Sequence, residues 1–305
     1  MTDEIPKNRS IKLIVAYKYH RTSMLKFLPE RDRAEILATR GAIEELRVRK
    51  GQPINVLYSY NGERKRKILS RIFSEEDIEN IIMKLCDYTF YSKEESIRQG
   101  FITLSEGERV GICGNVVKKD GEVSTIKQIT SLCVRMPNDV DGIARPFFCD
   151  YAQKAVGCLV ISPPGQGKTT FLRDLGRIYS DKLNKNVVFI DERDEFAASG
   201  RFYLGKNSDA LKYADKEYGF SCGVRTLAPE VIVCDEIMTG SDIDACEKAA
   251  ASGVKVLASA HSDNLKNLLK KPIFTEIIKK RVFDFYIELF YGGNITVYNE
   301  AGEKC

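Results

Sequence analysis

The residues best suited to chemistry lie in segment 162–169, Ser-Pro-Pro-Gly-Gln-Gly-Lys-Thr, which follows an apolar run. A strand before and a helix after such a loop are the context of a phosphate-binding loop. Backbone N–H groups around Gly165 and Gly167 would face a phosphate, and Lys168 would reach the β- and γ-phosphates. Ser162, a small residue, stands at the usual first glycine. The residues predicted to bind nucleotide are Pro164, Gly165, Gln166, Gly167, Lys168, Thr169 and Thr170.

Two carboxylates, Asp235 and Glu236, follow the apolar run 231–234, as in a Walker B strand. Asp235 and the Thr169 hydroxyl are predicted to hold Mg²⁺. Glu236 is predicted to orient and polarise the attacking water, and a helix-capping role is the alternative.

A second acidic stretch, 191–195, follows the apolar run 187–190 and carries carboxylates to the same sheet edge. Glu192 and Glu195 are therefore alternatives to Glu236 as the general base. A strand added between the two Walker elements is typical of the RecA-like NTPases. A solvated exit from strand to loop is the other interpretation, because charge clusters usually face water.

A histidine and several arginines are candidates for contacts to the γ-phosphate. His261 ends another apolar strand beside the Walker residues, so it senses the γ-phosphate or serves a structural role. Charge builds on the phosphoryl oxygens in the transition state, and an arginine can stabilise it. Arg135, Arg193 and Arg225 are the candidates, and the sequence does not rank them.

Composition narrows the class of protein. The 305 residues are 43% hydrophobic and 30% charged, which is typical of a folded chain of about two domains. The net charge of +4 does not by itself indicate nucleic-acid binding. Nine scattered cysteines and two histidines support neither a disulfide framework nor a zinc site. We see no membrane-spanning run and no secretory signal, so we expect a cytoplasmic protein.

The order of predicted elements gives a smaller α+β N-terminal domain (1–136), a linker (137–142) and a RecA-like P-loop NTPase domain with a parallel sheet (143–305). In the first domain we predict helices at 25–38, around 78–85 and after a capping box at 92–95, and strands at 44–50, 54–60, 64–67, 100–104, 109–113 and 130–136. In the second we predict buried strands at 155–161, 186–190, 231–234 and 254–258, with helices after Thr169 and from an N-cap at Ser241 to 251.

Together these motifs resemble the type II/IV secretion ATPase superfamily and, within it, the stage III sporulation protein AA family. The resemblance covers about residues 25–290. It rests on 44–53, 98–104, 107–114 and 131–136 in the first domain, and on 160–174, 191–195, 228–237 and 258–261 in the second.

The resemblance implies an ATPase that uses ATP and Mg²⁺ and forms a hexameric ring in the mother-cell cytoplasm. It further implies peripheral docking on membrane-embedded channel proteins that join mother cell and forespore during sporulation. By resemblance, Asp191 and Glu192 match the acidic box, His261 the histidine box, and Arg135 the arginine-bearing strand before the catalytic domain. Segment 200–223, rich in Tyr, Lys and Asp, departs from the family's small-residue stretch.

Two other functions share these motifs. A nucleic-acid-handling RecA-like ATPase would use the basic segment 64–67, although tryptophan is absent and no aromatic platform accompanies that segment. A slow, ATP-dependent assembly scaffold would bind nucleotide and hardly hydrolyse it.

Overall fold

The computed structural model describes residues 16–18, 23–60, 63–86, 94–104, 109–136 and 138–305. Residues 61–62 and 105–108, which connect predicted strands, and Ser92 of the predicted capping box lie outside these residues. The described chain is built around two large sheets, and a two-stranded pairing joins β1 (Ala16–Lys18) to β8 (Asp139–Asp141). Segment 137–142, predicted as a linker, therefore contains a short strand.

The N-terminal unit is an antiparallel sheet of six strands in the order β4-β3-β2-β7-β6-β5. Its strands are β2 (Ala42–Arg49), β3 (Pro53–Tyr60), β4 (Glu63–Ile72), β5 (Phe101–Thr103), β6 (Arg109–Lys119) and β7 (Glu122–Arg135). A 3₁₀ turn (Ser23–Phe27) and helices α1 (Glu30–Leu37), α2 (Glu75–Leu85) and α3 (Glu94–Arg98) share one apolar core with the sheet.

Local chemistry explains where α2 begins. The Ser74 hydroxyl accepts a hydrogen bond from the Asp77 N–H at 3.1 Å, and the Asp77 carboxylate accepts from the Ser74 N–H at 2.9 Å. This capping box satisfies two backbone donors at the helix start. Ile78 and Ile82, one turn apart, then pack into the core.

Two N-terminal predictions need correction. The helix predicted at 25–38 is a 3₁₀ turn followed by α1, because Pro29, in extended conformation at the N-cap, has no N–H to continue a helix. The strands predicted at 109–113 and 130–136 belong to a long hairpin whose turn is Asp120 and Gly121. Both turn residues have positive φ (53° and 86°), as a two-residue hairpin loop requires.

The C-terminal unit is a seven-stranded sheet in the order β11-β10-β12-β13-β9-β14-β15, parallel except between β14 and β15. Its strands are β9 (Cys158–Ser162), β10 (Val187–Asp191), β11 (Ser208–Lys212), β12 (Val231–Cys234), β13 (Lys255–His261), β14 (Phe285–Leu289) and β15 (Ile295–Asn299). Its helices are α4 (Arg145–Tyr151), α5 (Lys168–Lys182), α6 (Lys216–Thr226), α7 (Gly240–Ala251), α8 (Leu265–Leu268) and α9 (Pro272–Lys279).

Helices cover both faces of this sheet. Alternate residues of β9 enter different cores: Val160 packs with Phe171 of α5, whereas Ile161 belongs to the core of α7 and α9. The four predicted apolar strands are therefore confirmed as strands buried on both faces. The strand between the two Walker strands in space is β13. Strands β11, β14 and β15 were not predicted.

Helix α7 begins at a different residue from the one predicted. Thr239, two residues before Ser241, is the N-cap, and it exchanges hydrogen bonds with Asp242 in a capping box. This capping box satisfies two backbone donors at the helix start.

None of the described helices combines the length and apolar character needed to cross a membrane; the longest, α5, has 15 residues.

Candidate active site

The parallel sheet brings the predicted phosphate loop, the two Walker B carboxylates and the histidine to one edge. The phosphate loop follows β9, Asp235 and Glu236 follow β12, and His261 ends β13. Ser162 and His261 are direct partners in the β9–β13 register, so the loop starts beside the histidine. Ligands of open α/β sheets bind at these carboxyl ends.

The loop keeps the backbone shape that a phosphate needs. Gly165 and Gly167 have φ values of 75° and 98°, which glycine adopts without the strain a side chain would bring. Gly167 is the N-cap of α5 and no side chain caps this helix. Its first N–H groups therefore remain for an anionic ligand, supported by the helix dipole.

Lys168 is buried, with 6% of its surface exposed. Its Nζ lies 2.9 Å from the Ser162 carbonyl oxygen, 3.1 Å from that of Pro163 and 2.9 Å from His261 Nδ1. Burial lowers the pKa of Lys168 to about 8, although the nearby charges of Asp235 and Glu236 act to raise it. A phosphate placed beside this amine would favour its charged form.

His261 links Lys168 to the candidate base. Its Nε2 lies 3.2 Å from Glu236 Oε1. The Lys168 ammonium can only donate to Nδ1, so the hydrogen-bond network assigns the imidazole proton to Nε2, which donates to Glu236. Lys168, His261 and Glu236 thus form one hydrogen-bonded chain across the sheet edge.

Glu236 is held in an unusual backbone conformation, with φ of 23°. Such strain persists only where surrounding contacts hold it, and it clusters at functional sites. The Glu236 N–H donates to the Ser259 hydroxyl and to Asp235 Oδ1, both at 3.0 Å. Ser259, fully buried, also donates to Asp235 Oδ1 at 2.8 Å. Ser259 thereby positions the Asp235 carboxylate and the Glu236 backbone. Its signal in the sequence is a polar residue inside an apolar strand.

The oxygen atoms predicted to hold Mg²⁺ lie together. Thr169 Oγ1 donates to Asp235 Oδ2 at 3.3 Å. Among the described residues, no group of three or more His, Cys, Asp or Glu could hold a metal by itself. This set fits Mg²⁺, because that ion takes one or two protein oxygens and completes its shell with phosphate oxygens and water.

The acidic stretch divides into residues with different roles. Asp191 is buried and accepts hydrogen bonds from the backbone N–H groups of Glu195, Phe196 and Ala197 at 2.7, 3.2 and 2.9 Å, so it shapes the loop. Glu192 pairs with buried Lys216 at 2.9 Å. Desolvation and the neighbouring Asp235 carboxylate raise the pKa of Glu195. Of the three, Glu195 is the one that the loop directs to Asp235.

The arginine candidates occupy three different places. Arg193 Nη1 lies 3.9 Å from Glu236 Oε2, and Arg225 bonds to Ser221 of its own helix. Arg135 is exposed at the end of β7, and no hydrogen bond in the described chain joins it to the phosphate loop. The arginine that does reach the loop is Arg64: its Nη2 donates to the Gly165 carbonyl oxygen at 2.8 Å. Sequence reasoning placed Arg64 only in a basic hairpin strand.

Comparison with known proteins identifies relatives of this chain. The profile of the family described as "Sporulation stage III, protein AA" matches residues 21–305. The chain belongs to this family. It is 34% identical over 258 residues to Stage III sporulation protein AA of Bacillus subtilis (strain 168), covering 81% of this chain and 82% of the relative. The family resemblance stated from the motifs is confirmed.

Solved structures share the fold of this sporulation-family chain. The ATPase DotB of Legionella pneumophila matches with a TM-score of 0.56 at 15% identity, covering 90% of this chain and 77% of that one. DotB of Yersinia pseudotuberculosis matches at 0.59 and 14% identity, covering 97% and 85%. The pilus retraction motor PilT with bound ADP matches at 0.57 and 13% identity, covering 86% and 78%. At these identities the likeness shows the fold, and the predicted RecA-like class is confirmed.

Proposed function

We propose that this protein binds MgATP and hydrolyses it to ADP and phosphate, and that it works as a hexameric ring. The observation that carries the proposal is the chain from Lys168 through His261 to Glu236, beside the Thr169–Asp235 pair. It joins the group that would hold the β- and γ-phosphates to the group that would activate water. The proposal assigns 1–136 to an N-terminal domain, 137–142 to a linker and 143–305 to the ATPase domain.

In this proposal the loop 164–170 binds the phosphates through its backbone N–H groups and Lys168. Bound Mg²⁺, held by Thr169 and Asp235, would neutralise charge that develops on the phosphoryl oxygens. Glu236 would orient the attacking water, and Glu192 and Glu195 remain alternatives for that role. His261 would sense the γ-phosphate, because it contacts both Lys168 and Glu236.

We further propose that the ring powers a mother cell to forespore channel, docked peripherally on its membrane-embedded proteins from the mother-cell cytoplasm. Membership of the sporulation family and the fold shared with DotB and PilT support this proposal. The nucleic-acid-handling alternative is disfavoured, because three of the four basic residues at 64–67 are engaged within the chain. They are Arg64 with Glu44, Lys65 with Glu63 and Lys67 with Glu35.

Phosphate release and nucleotide binding test the function together. The parent should release phosphate from ATP in a Mg²⁺-dependent reaction, and Lys168→Ala should abolish tight nucleotide binding while the fold survives. Lys182→Ala, an exposed change at the end of α5, is the control and should behave as the parent. Nucleotide binding by Lys168→Ala as tight as the parent's would refute the loop assignment. Tight binding with negligible turnover by an assembled parent would favour the scaffold function.

A further inference from the structure

One side chain of the N-terminal unit reaches the phosphate loop. Arg64, on the edge strand β4, donates from Nη2 to the Gly165 carbonyl oxygen at 2.8 Å. This bond joins residues 101 positions apart and crosses from the six-stranded sheet to the loop after β9. A side chain on Gly165 would meet the Arg64 guanidinium within 3.7 Å, so the two groups are close.

Two further residues hold Arg64 in this position. Arg64 Nε donates to Glu44 Oε2 at 2.8 Å, and its guanidinium lies 4.6 Å above the centre of the Tyr291 ring. The Tyr291 hydroxyl in turn donates to Glu44 Oε1 at 2.7 Å. Glu44 belongs to β2, whereas Tyr291 lies between β14 and β15. The guanidinium is therefore fixed by a carboxylate from one unit and an aromatic ring from the other.

The bond to Gly165 also sets the direction of a neighbouring donor. The peptide between Gly165 and Gln166 is trans and planar, so its carbonyl oxygen and its N–H point in opposite directions. Because this carbonyl points at Arg64, the Gln166 N–H points away from Arg64. Phosphate-binding loops turn their backbone N–H groups towards the β-phosphate.

We propose that Arg64 is a positioning residue that orients the Gly165–Gln166 peptide for the β-phosphate, and that Glu44 and Tyr291 hold it there. The N-terminal unit thereby contributes to nucleotide affinity without touching the nucleotide. This inference rests on the proposed function, since it presupposes that the loop binds a nucleoside diphosphate or triphosphate.

Calorimetric titration of the full chain with ADP, ATP and AMP tests the proposal. Arg64→Ala should weaken ADP and ATP binding alike, by about three- to tenfold, as expected for one lost hydrogen bond. AMP binding should not change, because AMP has no β-phosphate. Tyr291→Phe, which keeps the ring and removes only the hydroxyl, should weaken ADP binding by about two- to threefold. Lys65→Ala on the same strand removes an equal charge and should leave all three affinities unchanged.

Other results would overturn the proposal in recognisable ways. Equal ADP affinity in Arg64→Ala and Lys65→Ala would remove the positioning role. An equal loss for AMP and ADP would show a general structural effect, and a loss for ATP alone would show direct contact with the γ-phosphate. A parent that binds no ADP would overturn the proposed function and this inference with it. If the parent binds ADP and Arg64→Ala binds it with the same affinity, only the inference is overturned.

Discussion

Lys168 and His261 meet at the edge of the C-terminal sheet, where Lys168 Nζ lies 2.9 Å from His261 Nδ1. The two residues are 93 positions apart, and the pairing of β9 with β13 brings them together. A phosphate arriving at Lys168 would compete for its hydrogen bonds, and His261 would transmit that change to Glu236, 3.2 Å from Nε2. Phosphate binding in the loop would thus change the contacts of Glu236, the residue proposed to activate water.

Replacing Glu236 with Gln should separate binding from hydrolysis. The amide keeps the shape of the side chain but cannot polarise water, so we expect ATP binding near the parent's and turnover lower by about 10²-fold or more. Glu230→Gln, directly before the opposite end of β12, is the matched control and should retain turnover. Phosphate release and nucleotide affinity measure the two properties. Full turnover in Glu236→Gln would transfer the base role to Glu192 or Glu195.

Replacing His261 with Ala should remove the hydrogen-bonded link between the phosphate loop and Glu236. For His261→Ala we expect ADP affinity within about twofold of the parent's and turnover reduced by about tenfold or more, since His261 touches both Lys168 and Glu236. Single-turnover hydrolysis with saturating ATP isolates the chemical step from binding. If single-turnover rates match the parent's, His261 serves the structure of the strand end and not the reaction.

Nucleotide binding should take up a proton at mildly alkaline pH. Burial lowers the pKa of Lys168 to about 8 in the free chain, and phosphate charge beside the amine should raise it. At pH 8.5 much of the free Lys168 is neutral and must be protonated on binding, whereas at pH 7 it is already charged. Affinity should therefore fall as pH rises through about 8. Calorimetry in two buffers of different ionisation enthalpy measures the uptake, and zero uptake at pH 8.5 would contradict the assignment.

The buried strands of the C-terminal sheet were easier to predict from the sequence than the polar strands of the N-terminal sheet. Motifs at 162–169 and 231–236 follow buried strands, and such strands are conspicuous because both faces are covered by helices. By contrast, residues 114–129 of the long hairpin are mostly polar, and their one local signal is the turn pair Asp120 and Gly121. Polar strands on a solvated face lack the apolar alternation on which strand prediction depends.

The parts of the site that the sequence missed all depend on tertiary contacts. Arg64 belongs to a run of basic residues that resembles a solvated strand edge, and only the packing of β4 near the phosphate loop distinguishes it. Ser259 is a single hydroxyl in an apolar strand, and its role depends on the register that sets β13 beside β12. Neither residue has a local pattern from which its partner could be predicted.

We expect Arg64 and Arg135 to affect two different properties, nucleotide affinity and ATP turnover. Arg64 contacts the phosphate loop within one chain, whereas Arg135 stands exposed at the end of β7, opposite Glu45 and just before the segment that leads to β8. Arg135 could therefore reach a γ-phosphate only when the domains close or when subunits assemble into the proposed ring. On this reasoning Arg64 influences affinity for the β-phosphate, and Arg135 influences turnover.

We expect Arg135→Ala to leave nucleotide affinity unchanged and to reduce ATP turnover of the assembled protein by about 10³-fold, the effect typical of an arginine that stabilises transition-state charge. Lys127→Ala, an exposed charge removal on the same strand, is the control. Mass photometry must first show that parent and variants assemble equally, because lost assembly would also lower turnover. Equal turnover by assembled parent and Arg135→Ala would exclude this role. Arg193, 3.9 Å from Glu236, would then be tested before Arg225, which bonds within its own helix.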